Sequence, residues 1–361
     1  MKRRAFVTGL GGVAAVSACS GPDQPGSTTS SQQRFDWKLV TTWPPNFPGL
    51  GTGVNTLARY VREMSAGRLN ITIYAAGELI PAFEVFDAVS RGTAEMGHGA
   101  AYYWRGKTEA AQFFATIPFG LNAHEMNGWL YYGGGLELWR ELYAPFDLVP
   151  FPAGNTGVQT GGWFNKRIDS MSDLRGLKMR IPGIGGEVLR LAGGTPVNLP
   201  GSEIFTALQT GSIDAAEWVG PYNDVASGLH QAARYYYYPG WQEPGPALEC
   251  IINEAAWNQL PEDLQAIVRV ACQATNLDMI SEYMARNAAS LKQLESDPSV
   301  DILSFPADVL AGLKTLTLQV VEGLAAADPL VARVWSSYSA FLEESQTWQR
   351  ISEQAYLSTR L

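Results

Sequence analysis

The sequence predicts a two-lobed α/β protein with mostly parallel sheets, a cleft between the lobes and long C-terminal helices. Three observations predict it. Strand-like and helix-like segments alternate from about residue 36 to residue 100, and a second such series runs from about Thr156 to Tyr238. Beyond the second series the pattern changes to long amphipathic helices, broken by one short strand. The 361 residues also exceed the roughly 100–200 that one domain usually takes.

In chain order, Lys2-Arg3-Arg4 precedes a mildly apolar Gly/Ala-rich run from Ala5 to Ala18, and residues 1–18 read as an export signal. The run falls short of the about 20 apolar residues that span a bilayer. Arg3-Arg4-Ala5-Phe6-Val7 resembles a twin-arginine signal, with Lys2 where Ser or Thr is usual. Val16-Ser17-Ala18-Cys19 resembles a bacterial lipobox, so Cys19 is the candidate lipidation site; a chance cysteine in a plain cleavable signal is the alternative. Residues 19–35 are Ser/Thr/Pro/Gly/Gln-rich and read as a flexible tether.

Trp37–Thr42 alternates like a strand, and Pro44-Pro45-Asn46-Phe47-Pro48-Gly49 is a loop. Val54–Ser65 has helical periodicity and ends before Gly67; Leu69–Tyr74 is a strand; Ala82–Arg91 is a helix closed by Gly92; Glu95–Gly99 continues the series. This order assigns 36–155 to the first lobe, 156–246 to the second, and about 247–306 to a return into the first. The segment from Ala255 through Asn276 and onward is helical, Val300–Phe305 is a short strand, and Ala307–Ala326 and Pro329–Ser352 are helices within a C-terminal element, 307–361.

Apolar residues make up 46% and charged residues 17%, as in an ordinary globular chain. The net charge is −9, and loss of residues 1–18 with Lys2, Arg3 and Arg4 makes it −12. Such a chain exerts no long-range pull on nucleic acid or anionic lipid, so nucleic acid is excluded as a partner and a membrane is reached only through a lipid anchor. Any anion it binds needs a local cation. Cys250 and Cys272 could bridge in an oxidising compartment, although Cys272 lies in an apolar helical pattern that suits a buried small hydrophobe. His98, His124 and His230 have no partner motif and read as structural.

Lys178–Ile181 is a short strand stopped by Pro182-Gly183, with Arg180 near its carboxyl end, where ligands of open α/β sheets collect. Arginine there is a fixed cation whose planar fork matches a carboxylate. Gln159, Glu217 and Glu243 fall at other strand-to-loop junctions between Gly157 and Pro244. Pro182-Gly183-Ile184-Gly185-Gly186-Glu187-Val188 imitates a dinucleotide loop, but Val188 stands where the third glycine belongs, so the segment is a turn and helix start. Asn155 and Asn223 are candidates for hydrogen bonding a ligand, or equally turn residues. An enzymatic reading makes Glu217 and Glu243 an acid/base pair, as in a glycoside hydrolase. The chain has no nucleophile elbow, P-loop or zinc-binding helix motif, and a fixed Arg180 opposes an oxocarbenium-like transition state, so binding without catalysis is the expectation.

Ala75-Ala-Gly-Glu78-Leu, Phe86-Asp-Ala-Val-Ser-Arg-Gly92, Gly176-Leu-Lys-Met-Arg180-Ile-Pro and Ala207-Leu-Gln-Thr-Gly211-Ser-Ile-Asp214-Ala-Ala-Glu217-Trp218 resemble segments of the solute receptors of tripartite ATP-independent periplasmic (TRAP) transporters. Tyr102-Tyr103-Trp104-Arg105-Gly106, Gly154-Asn-Thr-Gly-Val-Gln159 and Glu217-Trp-Val-Gly-Pro-Tyr222-Asn-Asp224 are similar to the subgroup that binds 2-oxo acids. The resemblance covers nearly all of the chain after about Phe35. It implies the two-lobed periplasmic binding protein (Venus-flytrap) fold and a periplasmic receptor that passes a small monocarboxylate such as pyruvate to a membrane permease. Lactate or a sugar acid is the alternative ligand. It further implies that Arg180 binds the carboxylate and that Gln159, Glu217, the Trp218 carbonyl and Glu243 hold a metal ion touching the ligand, Na⁺ with Ca²⁺ as the rival. Tyr103 and Trp104 would line the cleft from lobe one and Trp218 would wall it from lobe two. In related receptors the C-terminal helices mediate dimerisation, so a homodimer is compatible with the resemblance.

Overall fold

The computed structural model describes residues 33–360, so the export-signal and lipidation readings, Cys19 included, lie outside the described residues. The strands are β1 (Phe35–Thr41), β2 (Leu69–Tyr74), β3 (Met96–Gly99), β4 (Leu148–Asn155), β5 (Gly162–Phe164), β6 (Lys178–Arg180), β7 (Thr195–Val197), β8 (Ala215–Ala216), β9 (Tyr235–Tyr238), β10 (Ala247–Asn253) and β11 (Asp301–Ser304). The α-helices are α1 (Leu50–Met64), α2 (Val85–Ser90), α3 (Ala123–Tyr132), α4 (Gly135–Tyr143), α5 (Gly183–Leu191), α6 (Gly201–Gln209), α7 (Pro221–Ala226), α8 (Glu254–Gln259), α9 (Glu262–Glu295), α10 (Ala307–Ala327), α11 (Pro329–Ile351) and α12 (Glu353–Arg360).

The strands form two sheets, one per lobe: β2-β1-β3-β10-β4 and β11-β9-β5-β8-β6-β7. Each carries one reversed strand, β10 in the first and β5 in the second, and the other neighbours that pair directly are parallel. The chain crosses from the first sheet to the second between β4 and β5 and returns between β9 and β10. β4 and β10 carry no polar–apolar alternation because both faces are covered and nearly every residue is buried.

One placement differs from the sequence expectation. Asp301–Ser304 pairs in parallel with Tyr235–Tyr238, so β11 is the edge of the second sheet rather than part of the return into the first. Edge pairing depends on where the preceding helix delivers the chain, and local pattern carries no trace of that. The helix responsible is α9, 34 residues and about 50 Å long. Its buried Leu264, Val268, Cys272, Thr275, Met279 and Tyr283 recur every three to four residues, and it packs on β4 and α1 in one lobe and on α7 in the other. α10 lies against α5 and α11 against α3 and α4, so the C-terminal helices also touch both lobes. Asp328 starts α11 by accepting the Leu330 N–H at 2.8 Å, with Pro329 at the first helical position.

Cys250 and Cys272 are both buried free thiols, unbridged. His98 is buried and structural: its Nδ1 accepts from the Trp43 indole N–H at 2.9 Å, and Nε2 lies 3.2 Å from the Ala153 carbonyl. Burial lowers its pKa to about 4, so it stays neutral.

Glu249 on β10 is fully buried, accepting from the Trp104 indole N–H and from the Tyr143 hydroxyl at 2.9 Å. Burial raises its carboxyl to about 7 against these donors. A folded-state pKa above the unfolded value stabilises the fold below about pH 4.5 and loses that contribution as pH rises toward 7. The full swing is about 3 kcal/mol. Glu249→Gln, which keeps an acceptor for Trp104, is therefore expected to lessen the fall in Tm between pH 4.5 and 7.5. A pH slope equal to that of the parent protein in thermal melts would contradict this.

Candidate functional site

The second lobe supplies the charged centre. Arg180 ends β6, and Glu217 and Trp218 follow β8, which lies beside β6 with Arg180 opposite Ala216. The Glu217 N–H donates to the Arg180 carbonyl at 3.1 Å, so parallel pairing alone sets the two side chains next to each other at the carboxyl ends of their strands. Arg180 is 1% exposed. Its Nη1 donates to the Glu217 carboxylate and to the Glu217 carbonyl at 3.0 Å, and its Nε to the Leu199 carbonyl at 3.3 Å. Its guanidinium carbon stands 5.1 Å from the Trp218 ring centroid. Trp218 packs on Gly201 at the start of α6, where a Cβ would lie 2.4 Å from the indole.

Gln159 and Glu243 come from the two adjacent crossings between lobes, β4 to β5 and β9 to β10. The crossings are joined by backbone hydrogen bonds, Gln159 N–H to the Glu243 carbonyl at 3.1 Å and Gly240 N–H to the Gln159 carbonyl at 3.0 Å. They approach so closely that a Cβ on Gly240 would meet the Gln159 carbonyl oxygen at 2.3 Å. Groups at this position feel any change in the angle between the lobes.

From the first lobe, the Tyr103 hydroxyl accepts from Arg180 Nη2 at 3.3 Å. Trp43, after β1, has its ring centroid 6.3 Å from that of Tyr103 and 6.4 Å from that of Trp218. Further contacts cross the cleft: Arg105 Nη1 to Glu187 at 2.8 Å, and Asn223 Nδ2 to the Pro48 carbonyl at 2.7 Å. The lobes are closed on the site.

Charge within the site is unbalanced. Burial pushes the Glu217 carboxyl up to about 7, although Arg180 opposes it. Burial, and then the charge of Glu217, push Glu243 well above the usual carboxylate range. One guanidinium faces two buried carboxylates. Gln159 Oε1, Glu217 Oε2 and Glu243 Oε2 are buried without a hydrogen-bond donor, and unpartnered buried acceptors cost about 1–3 kcal/mol each. A cation among them would satisfy them, and an oxygen-only donor set suits Na⁺ or Ca²⁺. Among the described residues no group of three or more His, Cys, Asp or Glu converges. The three donorless oxygens here are mixed, two from carboxylates and one from an amide.

Of the residues singled out from sequence, Arg180, Gln159, Glu217, Trp218, Glu243 and Tyr103 converge. Asn155 is buried beside them, but its amide is engaged in shaping the first crossing: Nδ2 donates to the Gly245 carbonyl at 3.0 Å and Oδ1 accepts from Gly157 N–H at 2.8 Å. Asn223 likewise ties Pro48 to the Tyr283 hydroxyl. Trp104 does not line the cleft; its indole is buried in lobe one against Glu249. Sequence reasoning missed Trp43, Tyr102 beside Glu243, and Asp224. Asp224, raised to about 6 by burial, gathers the Trp163 indole N–H at 3.1 Å and the Tyr236 hydroxyl at 2.8 Å beneath the site. Only its place in Pro221-Tyr-Asn-Asp224 could have drawn notice.

A two-lobed fold with a closed cleft, a buried arginine and an oxygen-rich hinge defines a solute receptor. Residues 39–328 match bacterial extracellular solute-binding protein, family 7 (DctP), and the chain belongs to that family, the solute receptors of TRAP transporters. It is 42% identical over 360 residues, 99% of this chain and 98% of the relative, to a monocarboxylate 2-oxoacid-binding periplasmic protein of Nostoc sp.. A TRAP periplasmic solute-binding protein from Colwellia psychrerythraea with bound calcium and pyruvate is 44% identical, covers 91% of this chain and all of its own, and superposes with a TM-score of 0.88. One from Pseudoalteromonas atlantica with bound sodium and pyruvate is also 44% identical, with 90% and 99% covered and a TM-score of 0.88.

Proposed function

We propose that this receptor binds a small 2-oxo monocarboxylate such as pyruvate together with a metal ion, without catalysis, and delivers it to a membrane permease. The observation that carries this reading is the trio of donorless buried oxygens on Gln159, Glu217 and Glu243 beside the buried guanidinium of Arg180. Gln159, Glu217, Glu243 and the Trp218 carbonyl would hold the ion, Na⁺ or Ca²⁺, the two ions found with pyruvate in the relatives from Pseudoalteromonas atlantica and Colwellia psychrerythraea. The ion supplies the positive charge that lets an anionic ligand sit among carboxylates. Arg180 takes a carboxylate oxygen, and the Trp218 indole N–H, a buried donor without an acceptor, is available to the ligand. Because Gln159 and Glu243 sit on the crossings, Arg180 and Glu217 in the second lobe and Tyr103 in the first, ligand and ion together favour the closed arrangement by differential affinity.

Two finer points belong to the same reading. Trp348, Ile351, Tyr356 and Leu357 on α11 and α12 are exposed apolar side chains, which supports a homodimer through the C-terminal helices. A lipid at Cys19 would anchor the receptor to a membrane facing the periplasm.

Calorimetric titration of metal-stripped protein with pyruvate, 2-oxobutyrate and lactate, each without metal, with Na⁺ and with Ca²⁺, tests the assignment. The expected result is metal-dependent binding of the 2-oxo acids, recovered unchanged after denaturation. Binding of lactate or a sugar acid alone would replace the ligand class, and a chemically altered ligand would replace the receptor reading.

A further inference from the structure

We infer that Trp43 and Phe47 gauge the length of the ligand's side chain, admitting short chains because only these let the two aromatic walls meet across the cleft. The inference rests on the 2-oxo acid reading above and adds a specificity determinant to it. Trp43 and Phe47 lie in the loop after β1 in lobe one, and Trp218 lies in lobe two. In the closed arrangement the Trp43 and Trp218 ring centroids are 6.4 Å apart at 65°, and those of Phe47 and Trp218 are 6.0 Å apart at 65°. These are edge-to-face contacts within the range where aromatic pairs attract. Trp218 also stacks on the Arg180 guanidinium, so the place where the two walls meet is one ring away from the group that takes the carboxylate. The inference places the far end of a ligand held at Arg180 against the Trp43–Phe47–Trp218 contact.

Trp43 cannot turn aside. It is 2% exposed, and its indole N–H is held by His98 Nδ1, whose other nitrogen lies against the Ala153 carbonyl of β4. The chain Trp43–His98–Ala153 anchors the wall in the core of the first sheet. His98 is a positioning residue here, with no contact to the ligand required of it. With its N–H engaged, Trp43 presents only carbon to the cleft, so the wall offers nothing to the hydroxyls of a sugar acid. A longer apolar chain would have to hold the walls apart and so forfeit closure, in addition to any direct clash. Removing ring volume from either lobe-one residue relieves both.

The test is a chain-length series, pyruvate, 2-oxobutyrate, 2-oxopentanoate and 4-methyl-2-oxopentanoate, titrated with Ca²⁺ or Na⁺ present into the parent protein, Trp43→Leu and Phe47→Ala. The readout is the ratio of Kd for 4-methyl-2-oxopentanoate to Kd for pyruvate. In the parent protein affinity should fall along the series. In each variant the ratio should drop by about tenfold or more, the span that one or two methylenes command in an apolar pocket. Phe47 is only half-buried and keeps the inference testable if Trp43→Leu does not fold. His98→Asn should lower the ratio in the same direction, with Trp43 left in place but unanchored. A ratio unchanged within about twofold in folded Phe47→Ala and Trp43→Leu would overturn the gauge while leaving the receptor assignment standing. If the parent protein binds no 2-oxo acid with either metal, the assignment itself falls, and the gauge with it.

Discussion

Arg180→Met is expected to abolish ligand binding. Among the described residues the guanidinium is the one cation hydrogen-bonded within the cluster formed with Glu217 and Tyr103, and its four contacts hold it in one orientation. Truncating one member of a buried charge pair typically costs 2–5 kcal/mol, about 30- to 5,000-fold in Kd. Methionine fills similar space but leaves Glu217 and Glu243 buried with no cation. Their carboxyls must then hold protons more tightly than before. Glu217 already holds its proton to about pH 7 in the parent, so a further rise in these folded-state pKa values separates variant from parent only above that point, and the variant's pH-dependent loss in Tm should be small from pH 4.5 to 7 and grow above it. Arg180→Lys restores a point charge without the fork and should recover stability at neutral pH better than it recovers affinity. Residual pyruvate affinity within about tenfold of the parent in Arg180→Met would remove Arg180 from the site. Circular dichroism melts across pH separate folding from binding.

The second large effect is a change of opposite signs in one variant. Glu243 is buried, and burial and Glu217 raise its pKa well above the usual range, so in metal-free protein its charge opposes folding as pH rises from about 4.5. Glu243→Gln removes that burden and is expected to raise the metal-free Tm at pH 7.5. It also removes one of the two carboxylates proposed to hold the ion, and the stabilisation expected from Ca²⁺ or Na⁺ in the parent should largely disappear. Stabilisation by a ligand follows RT ln(1 + [L]/Kd), about 2.7 kcal/mol at a hundredfold excess over Kd, so a loss of affinity reads directly as a smaller Tm shift. Protons compete with the ion for the same carboxylates, and metal affinity in the parent should therefore climb with pH through the region above 4.5. A Glu243→Gln protein that keeps the parent's metal-induced Tm shift would exclude this carboxylate from the ion site.

Much of the site was legible before any coordinates. The strand Lys178–Arg180, halted by Pro182-Gly183, put an arginine where ligands collect, and the segment from Ala215 to Trp218 repeated that logic one strand over. Motif spacing sufficed for these because each lies within a few residues of its own strand end. Trp104 shows the limit. Sequence neighbours Tyr102, Tyr103 and Trp104 look alike, yet they occupy a single turn whose side chains fan apart, Tyr103 toward Arg180 and Trp104 inward to Glu249. Asn155 and Asn223 are equally open in sequence between ligand and backbone roles, and both bond backbone groups, Asn155 on the crossings and Asn223 across the cleft.

Local sequence determined what is local: alternating strands, capped helices, turn glycines and the chemistry carried at strand ends, since these follow from side-chain period and backbone preference. Tertiary structure alone decided the rest. It set β11 beside β9, sank β4 and β10 into the first sheet without a polar face, and brought Trp43, 175 positions before Trp218, to within a ring's width of it. It also brought Gln159 and Glu243 together, because two crossings 84 residues apart run side by side through the hinge. Those pairings depend on where whole elements pack, and their energy comes from burial shared among many residues, so no short stretch of sequence encodes them.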